Sequence, residues 1–210
     1  MELDAHSLKM INLDAPNRVY MNLVLQTPKK SLNKAYQKEK VTRKDIEVFK
    51  KNLYEFLGNV NEQEGEENAK TLVTKFLNDT YYNGKNQINT KERIDLAIFQ
   101  DQTPVVIIET KRPTSPEMIT KSSLNRDAMH KLILYYLQER VNHSNIDIKY
   151  LVATNIYEWF IFDASVFDAL FYKNLKLRKD FNEWQNKQKT NADRDLFYSA
   201  LIPSCSPRHQ

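Results

Sequence analysis

Asp95, Glu109 and Lys111 are the residues whose types and spacing suit chemistry. Glu109 and Lys111 lie at the end of "VVIIETKRP" (105–113), and Asp95 lies near the start of "RIDLAIFQ" (93–100). Four β-branched residues, Val105 to Ile108, run straight into these ions. On a strand Glu109 and Lys111 share a face, because side chains alternate. Two carboxylates and a lysine in one cleft fit hydrolysis of a phosphodiester. Carboxylate oxygens are hard ligands that suit Mg²⁺, which normally keeps several waters. Such a cation lowers the pKa of a bound water and shields phosphate charge. The lysine can orient or deprotonate the attacking water, or stabilise charge on the phosphorane.

The surrounding elements must hold these groups. "RIDLAIFQ" alternates, with Ile94, Leu96 and Ile98 on one side and Asp95, Ala97 and Phe99 on the other. Only "DQT" separates it from "PVVIIETK", so the two strands are expected to form an antiparallel hairpin. A loop of that length puts Asp95 nearer Val105 or Ile107 than Glu109, unless the strands bend or splay.

Upstream, Thr42 and Asp45 have capping-box spacing before a helix carrying Ile46, Phe49, Leu53, Phe56 and Leu57. Gly58-Asn59 is its stop signal. A second helix opens near Glu66, with Ala69, Leu72, Val73, Phe76, Leu77 and Tyr81 as its stripe, and Asn83-Gly84 ends it. Downstream, "SLNRDAMHKLILYYLQERV" is a long helix. "IKYLVATN" (148–155) and "EWFIFDA" (158–164) are strands, and "SVFDALFY" (165–172) is a short helix. The order α-α-β-β-α-β-β, with a crossover helix between strands two and three, predicts an α/β fold with a mixed central sheet flanked by helices. Residues 1–41 are expected to be an arm or linker, 42–172 the domain, and 173–210 a basic polar tail.

The 210 residues are 41% hydrophobic and 28% charged, with only 3 Gly, which is a globular rather than a disordered composition. The net charge of +4 is a weak pointer to an anionic partner, and its distribution says more. Residues 29–51 carry nine Lys/Arg against three acids, and residues 173–194 carry seven against three. Such runs are solvated faces or footprints on a phosphate backbone. The one cysteine, Cys205, allows no internal disulfide and no structural zinc site, in keeping with a reducing, cytoplasmic setting. The opening "MELDAHSLKMINLDAPN" has no basic region followed by an apolar run, so no secretory leader is expected. No stretch approaches the roughly 18 apolar residues of a membrane span.

Ile94-Asp95 followed by Glu109-Thr110-Lys111 resembles the motif of the PD-(D/E)xK nuclease superfamily, without its usual proline before the aspartate. In order, "ERIDLAIF", "PVVIIETKRP", "LILYYLQER" and "ATNIYEWFIFDA" resemble the N-terminal nuclease region of type IIG restriction enzymes, which fuse a nuclease to an adenine methyltransferase. The resemblance spans about residues 42–172. It implies a restriction-endonuclease-like core and an Mg²⁺-dependent DNA endonuclease, with Mn²⁺ as substitute and a cation-activated water as the attacking group. Asp95 and Glu109 would bind the metal and Lys111 would be catalytic.

Such families often add a glutamate from the first core helix. Periodicity puts Glu66 nearer the buried stripe, family spacing favours Glu67, and Glu67 is taken as the fourth catalytic residue. His130 falls near a position where related nucleases carry Gln. Arg112, Lys121 and His130 are candidate DNA contacts. Tyr157 and Trp159 read as core or turn aromatics.

The expected partners are DNA and a methyltransferase or specificity region beyond this chain. The chain lacks a glycine-rich cofactor loop and an Asn-Pro-Pro-Tyr motif, so no S-adenosylmethionine site is expected. "ALIPSCSPRHQ" reads as an arbitrary tail, such as a truncated or frame-shifted end. The alternative to an enzyme is a catalytically inactive nuclease-like fragment that grips DNA or docks to a partner.

Overall fold

The computed structural model describes residues 6–10, 21–32, 34–82, 88–91 and 94–186. The Asn83-Gly84 turn, Cys205 and the tail from 187 onward lie outside them.

The first helices form as their sequences dictate. After strands β1 (His6–Met10) and β2 (Met21–Leu25) and the one-turn α1 (Pro28–Ser31), helix α2 covers Arg43–Gly58. The Asp45 backbone N–H donates to Thr42 Oγ1 at 3.2 Å, and the Thr42 N–H donates to Asp45 Oδ2 at 3.0 Å. That reciprocal box satisfies two N-terminal donors. Asn59 closes the helix by donating its N–H to the Glu55 carbonyl. Helix α3 (Glu66–Leu77) follows and widens into a π-helical turn over Asn78–Tyr82.

Strands β3 (Ile88–Lys91), β4 (Ile94–Gln100) and β5 (Thr103–Thr110) come next, then α4 (Asp127–Asn142), β6 (Tyr150–Thr154), β7 (Trp159–Asp163), α5 (Ala164–Phe167) and α6 (Leu175–Gln185). The sheet runs β2-β1-β7-β6-β5-β4-β3 and is mixed. The β5–β6 pair is parallel, joined by the α4 crossover, while β4–β5 and β6–β7 are antiparallel. This is an α/β fold, as the element order predicts. Strands β1, β2 and β3 and helix α6 add to that order. Strand β1 pairs with β2 and with the outer side of β7, so the segment expected to be an arm or linker contributes two strands to the sheet. Helix α6 buries Leu177 and Phe181, so the expected basic tail begins with an element of the core.

Helices cover both faces of the sheet. On one, Met129, Leu132 and Ile133 of α4 pack with Ile107, Leu151 and Phe160. On the other, Phe56, Val73 and Phe76 of α2 and α3 pack with Leu96, Ile98 and Ile108. A strand covered on both sides reads as a continuous apolar run, which accounts for Val105 to Ile108. Among the described residues no helix is long and apolar enough to cross a membrane.

The hairpin that carries Asp95 and Glu109 contains one irregularity. Asp101 and Gln102 both have positive φ, 48° and 68°, so the turn is a tight two-residue one. From it Gln100 pairs with Thr103 and Phe99 with Pro104, but Ile98 then pairs with Val106. Val105 is therefore an extra residue on β5, a β-bulge. A one-residue slip flips every side chain to the other face. Beyond the bulge Leu96 pairs with Ile108. One step further in that register Asp95 comes level with Glu109.

Candidate active site

The site lies where β5 ends, beside the N-termini of α3 and α4. The register set by the bulge brings Asp95 level with Glu109, whereas without the bulge the same two-residue turn would set Asp95 against Ile108. The paired ladder ends at Leu96–Ile108, so the strands part there. The Thr110 N–H and hydroxyl donate to Asp95 Oδ2 at 3.3 and 3.4 Å, holding that carboxylate at the strand end. Its other oxygen, Oδ1, is 3.6 Å from Lys70 Nζ on α3.

Glu109 is fully buried, and neither carboxylate oxygen has a hydrogen-bond partner of good geometry. Lys131 and Lys111 approach Oε1 at 3.1 and 3.4 Å as charges. Burial pushes the Glu109 carboxyl up to about 8, and the neighbouring Asp95 charge adds to this, while Lys131 and Lys111 oppose it.

Lys111 is 1% exposed, yet it is thoroughly paired. Its ammonium donates to Glu117 Oε2 at 2.7 Å and to Asp127 Oδ2 at 2.8 Å, and Glu66 Oε1 is 3.3 Å away. Burial alone would lower its pKa, but the bonds to Asp127 and Glu117 and the charges of Glu109 and Asp127 together outweigh burial and raise it. Burial alone would raise the Asp127 carboxyl, but the bonds and charges of Lys111 and Lys131 together outweigh it and hold Asp127 below the usual carboxylate range. Lys111 is thus a fixed cation rather than a proton acceptor. Its backbone N–H donates to the Thr154 carbonyl at 2.8 Å, which extends the β5–β6 pairing by one residue. Glu117 is placed by its neighbours in the loop after β5, where Met118 and Ile119 are buried.

The structure therefore brings Asp95, Glu109 and Lys111 together. Of the two glutamates opening α3, Glu66 reaches Lys111, while the expected Glu67 points to solvent and pairs with Lys70 at 2.7 Å. Position along the helix decides this: Glu66 lies three residues before Ala69 and seven before Val73, on the buried stripe. On α4 the residue that reaches Glu109 is Lys131, not His130, whose Nε2 lies 2.6 Å from Asn125 Oδ1. Arg112 and Lys121 are exposed on the loop leaving β5.

Sequence reasoning missed Glu117, Asp127, Lys131 and Lys70. A signal existed for two of them. Asp127 and Lys131 are four apart on the crossover helix, hence on one face, and such a helix begins beside the end of β5.

Facing one another here are five carboxylates (Glu66, Asp95, Glu109, Glu117, Asp127) and three ammonium groups (Lys70, Lys111, Lys131). With Glu109 ionised the group has a formal excess of two negative charges, and this excess together with the orphaned oxygens of Glu109 fits a divalent cation with hard oxygen ligands. Among the described residues no group of three or more His, Cys, Asp or Glu side chains could hold a metal by itself. Two carboxylates still suffice for Mg²⁺, which fills its remaining positions with waters and substrate phosphate.

No curated protein and no solved structure matches the chain. A family model described as a domain of unknown function (DUF7149) does match it, over residues 26–207, and the chain belongs to that family.

Proposed function

We propose that the protein is a Mg²⁺-dependent DNA endonuclease module of a type IIG-like restriction-modification system, acting in the cytoplasm. One observation carries the reading. Glu109 is a buried carboxylate with both oxygens lacking a hydrogen bond, brought level with Asp95 by a bulge and next to a buried lysine. Asp95 and Glu109 would hold the cation. When bound, it would polarise the phosphate and acidify a water.

The remaining roles belong to the chain. Lys111, fixed by Glu117 and Asp127, presents a permanent positive charge where negative charge grows on the phosphorane. Glu66 completes its cage. Burial of Glu109 keeps bulk water off the carboxylate, which strengthens its hold on a cation. Arg112 and Lys121, exposed on the loop beside the strand end, suit phosphate contacts flanking the cut. DNA and a methyltransferase or specificity region are the partners of this reading.

Incubation of the protein with supercoiled plasmid and Mg²⁺ tests it. Nicking by the wild type should fall by about 100-fold or more in Lys111→Ala, the loss expected when one charge-stabilising group is removed. Equal nicking by both would sink the assignment of Lys111.

A second reading is a non-catalytic module that grips DNA. The contacts of Lys70 and Lys131 favour it, since they already neutralise Asp95 and Glu109 in part. It predicts salt-sensitive DNA binding that ignores Mg²⁺, with no nicking by either protein.

A further inference from the structure

Two lysines sit on the two carboxylates that would hold a cation, one from each flanking helix. Lys131 of α4 lies 3.1 Å from Glu109 Oε1, and Lys70 of α3 lies 3.6 Å from Asp95 Oδ1. We infer that Lys70 and Lys131 are exchangeable counter-ions, which a divalent cation displaces from Asp95 and Glu109 and which then bind phosphate oxygens of a nucleic-acid backbone. The inference rests on the nuclease reading and adds a phosphate-binding role coupled to the cation.

The contrast with Lys111 supports it. Lys111 is 1% exposed and held by two hydrogen bonds of 2.7 and 2.8 Å. The side chains of Lys131 and Lys70 are 32% and 16% exposed, so both have a path to solvent. The Lys131 contact with Glu109 is an ion pair without hydrogen-bond geometry, and a cation taking the place of the ammonium would offset its loss. Each lysine also has a second carboxylate to keep it at the site mouth: Asp127 at 3.5 Å for Lys131, and Glu67 at 2.7 Å for Lys70.

A doubly charged ion between Asp95 and Glu109 would repel both ammonium groups at short range. Lysine suits such an exchange, because it is a point charge on a flexible stem. Displaced but tethered, the two groups raise the positive potential where a phosphate would enter. Cation and polyanion then strengthen each other's binding, and linkage makes the effect reciprocal.

The test is the salt dependence of binding to a short DNA duplex, with and without Ca²⁺, which takes oxygen ligands as Mg²⁺ does. The integrity of the DNA is checked on a gel, and calorimetry measures Ca²⁺ uptake. The variant Lys70→Gln/Lys131→Gln is the reference for the screening that Ca²⁺ itself exerts. Without Ca²⁺ the two proteins should give the same slope of log K against log salt. With Ca²⁺ the wild-type slope should be steeper by about 1.8, from two added phosphate contacts at roughly 0.9 each. Slopes that coincide in both conditions, or differ equally in both, overturn the exchange. A wild type that takes up Ca²⁺ but binds no DNA removes the phosphate role. A wild type that takes up no Ca²⁺ removes the metal reading of Asp95 and Glu109, and the exchange with it.

Discussion

A buried glutamate lies by each end of helix α4, Glu139 within it and Glu109 on β5 beside it, and the two are treated in opposite ways. Glu139, near the C-terminal end, is 1% exposed and fully satisfied. Lys91 donates to its Oε1 at 2.6 Å, Asn145 donates to its Oε2 at 3.0 Å, and the same Asn145 amide donates to the Pro104 carbonyl at 2.9 Å. The group ties together β3, the start of β5 and the loop after α4. Glu109, beside the N-terminal end, is as deeply buried, but its oxygens accept no hydrogen bond. Burial and a nearby lysine are common to both. The unmet acceptors distinguish the candidate site from the strut.

The comparison breaks most sharply at the strut. Glu139→Ala should cost about 3 kcal/mol, because it leaves Lys91 and Asn145 without their buried partner. Urea denaturation measures this, and a loss under about 1 kcal/mol would mean that the network is ornamental.

At the other end the expected effect depends on pH. The folded-state pKa of Glu109 is raised from 4.5 to about 8. Between those values the native carboxyl is protonated and the unfolded one is not, so the unfolded state binds fewer protons. This contribution to stability is fully present below about pH 4.5 and is lost as pH rises towards 8. Glu109→Gln, always neutral, should escape that loss. In chelator, it should gain on the wild type by about 2 kcal/mol between about pH 5 and about pH 8. A constant difference across the window would mean that Glu109 titrates normally.

The smallest effect is expected at the hairpin turn, near the Glu139 end. Gln102 sits at a φ of 68°, which an L-residue with a side chain adopts only under strain. Gln102→Gly should raise stability by about 1 kcal/mol and leave the pH dependence of the Glu109 end unchanged. A rise in melting temperature checks the first part. A loss would show that the Gln102 side chain contributes more than the strain costs.

Much of this was legible in the sequence. Asp95, Glu109 and Lys111 could be named because an apolar run ending in ions is unusual, and the hairpin followed from the short "DQT" connection. The bulge could not be read, since Val105 looks like any other β-branched strand residue. The expected partners of Asp95, Val105 or Ile107, fall short of Glu109. A three-residue "DQT" loop with Gln100 opposite Pro104 already counts back to Glu109, and the shorter turn plus the bulge arrive at that same register. Glu66 and Glu67 are adjacent, and only the exact phase of α3 separates them. Lys131 was passed over for His130 for the same reason. Helix α6 hid in a basic segment because just Leu177, Phe181 and Trp184 mark its apolar side. Strand β3 has four residues, and Ile88 is its one buried apolar residue.

The extra residue at Val105 makes the length of this hairpin a matter of parity. Removing or adding one residue between Phe99 and Glu109 would carry Glu109 and Lys111 to the opposite side from Asp95, and a change of two would return them. Relatives that keep the site should therefore differ in this stretch by even steps, or by paired single changes, one on each strand. A lone one-residue deletion here would mark a member that has given up the site while keeping its fold.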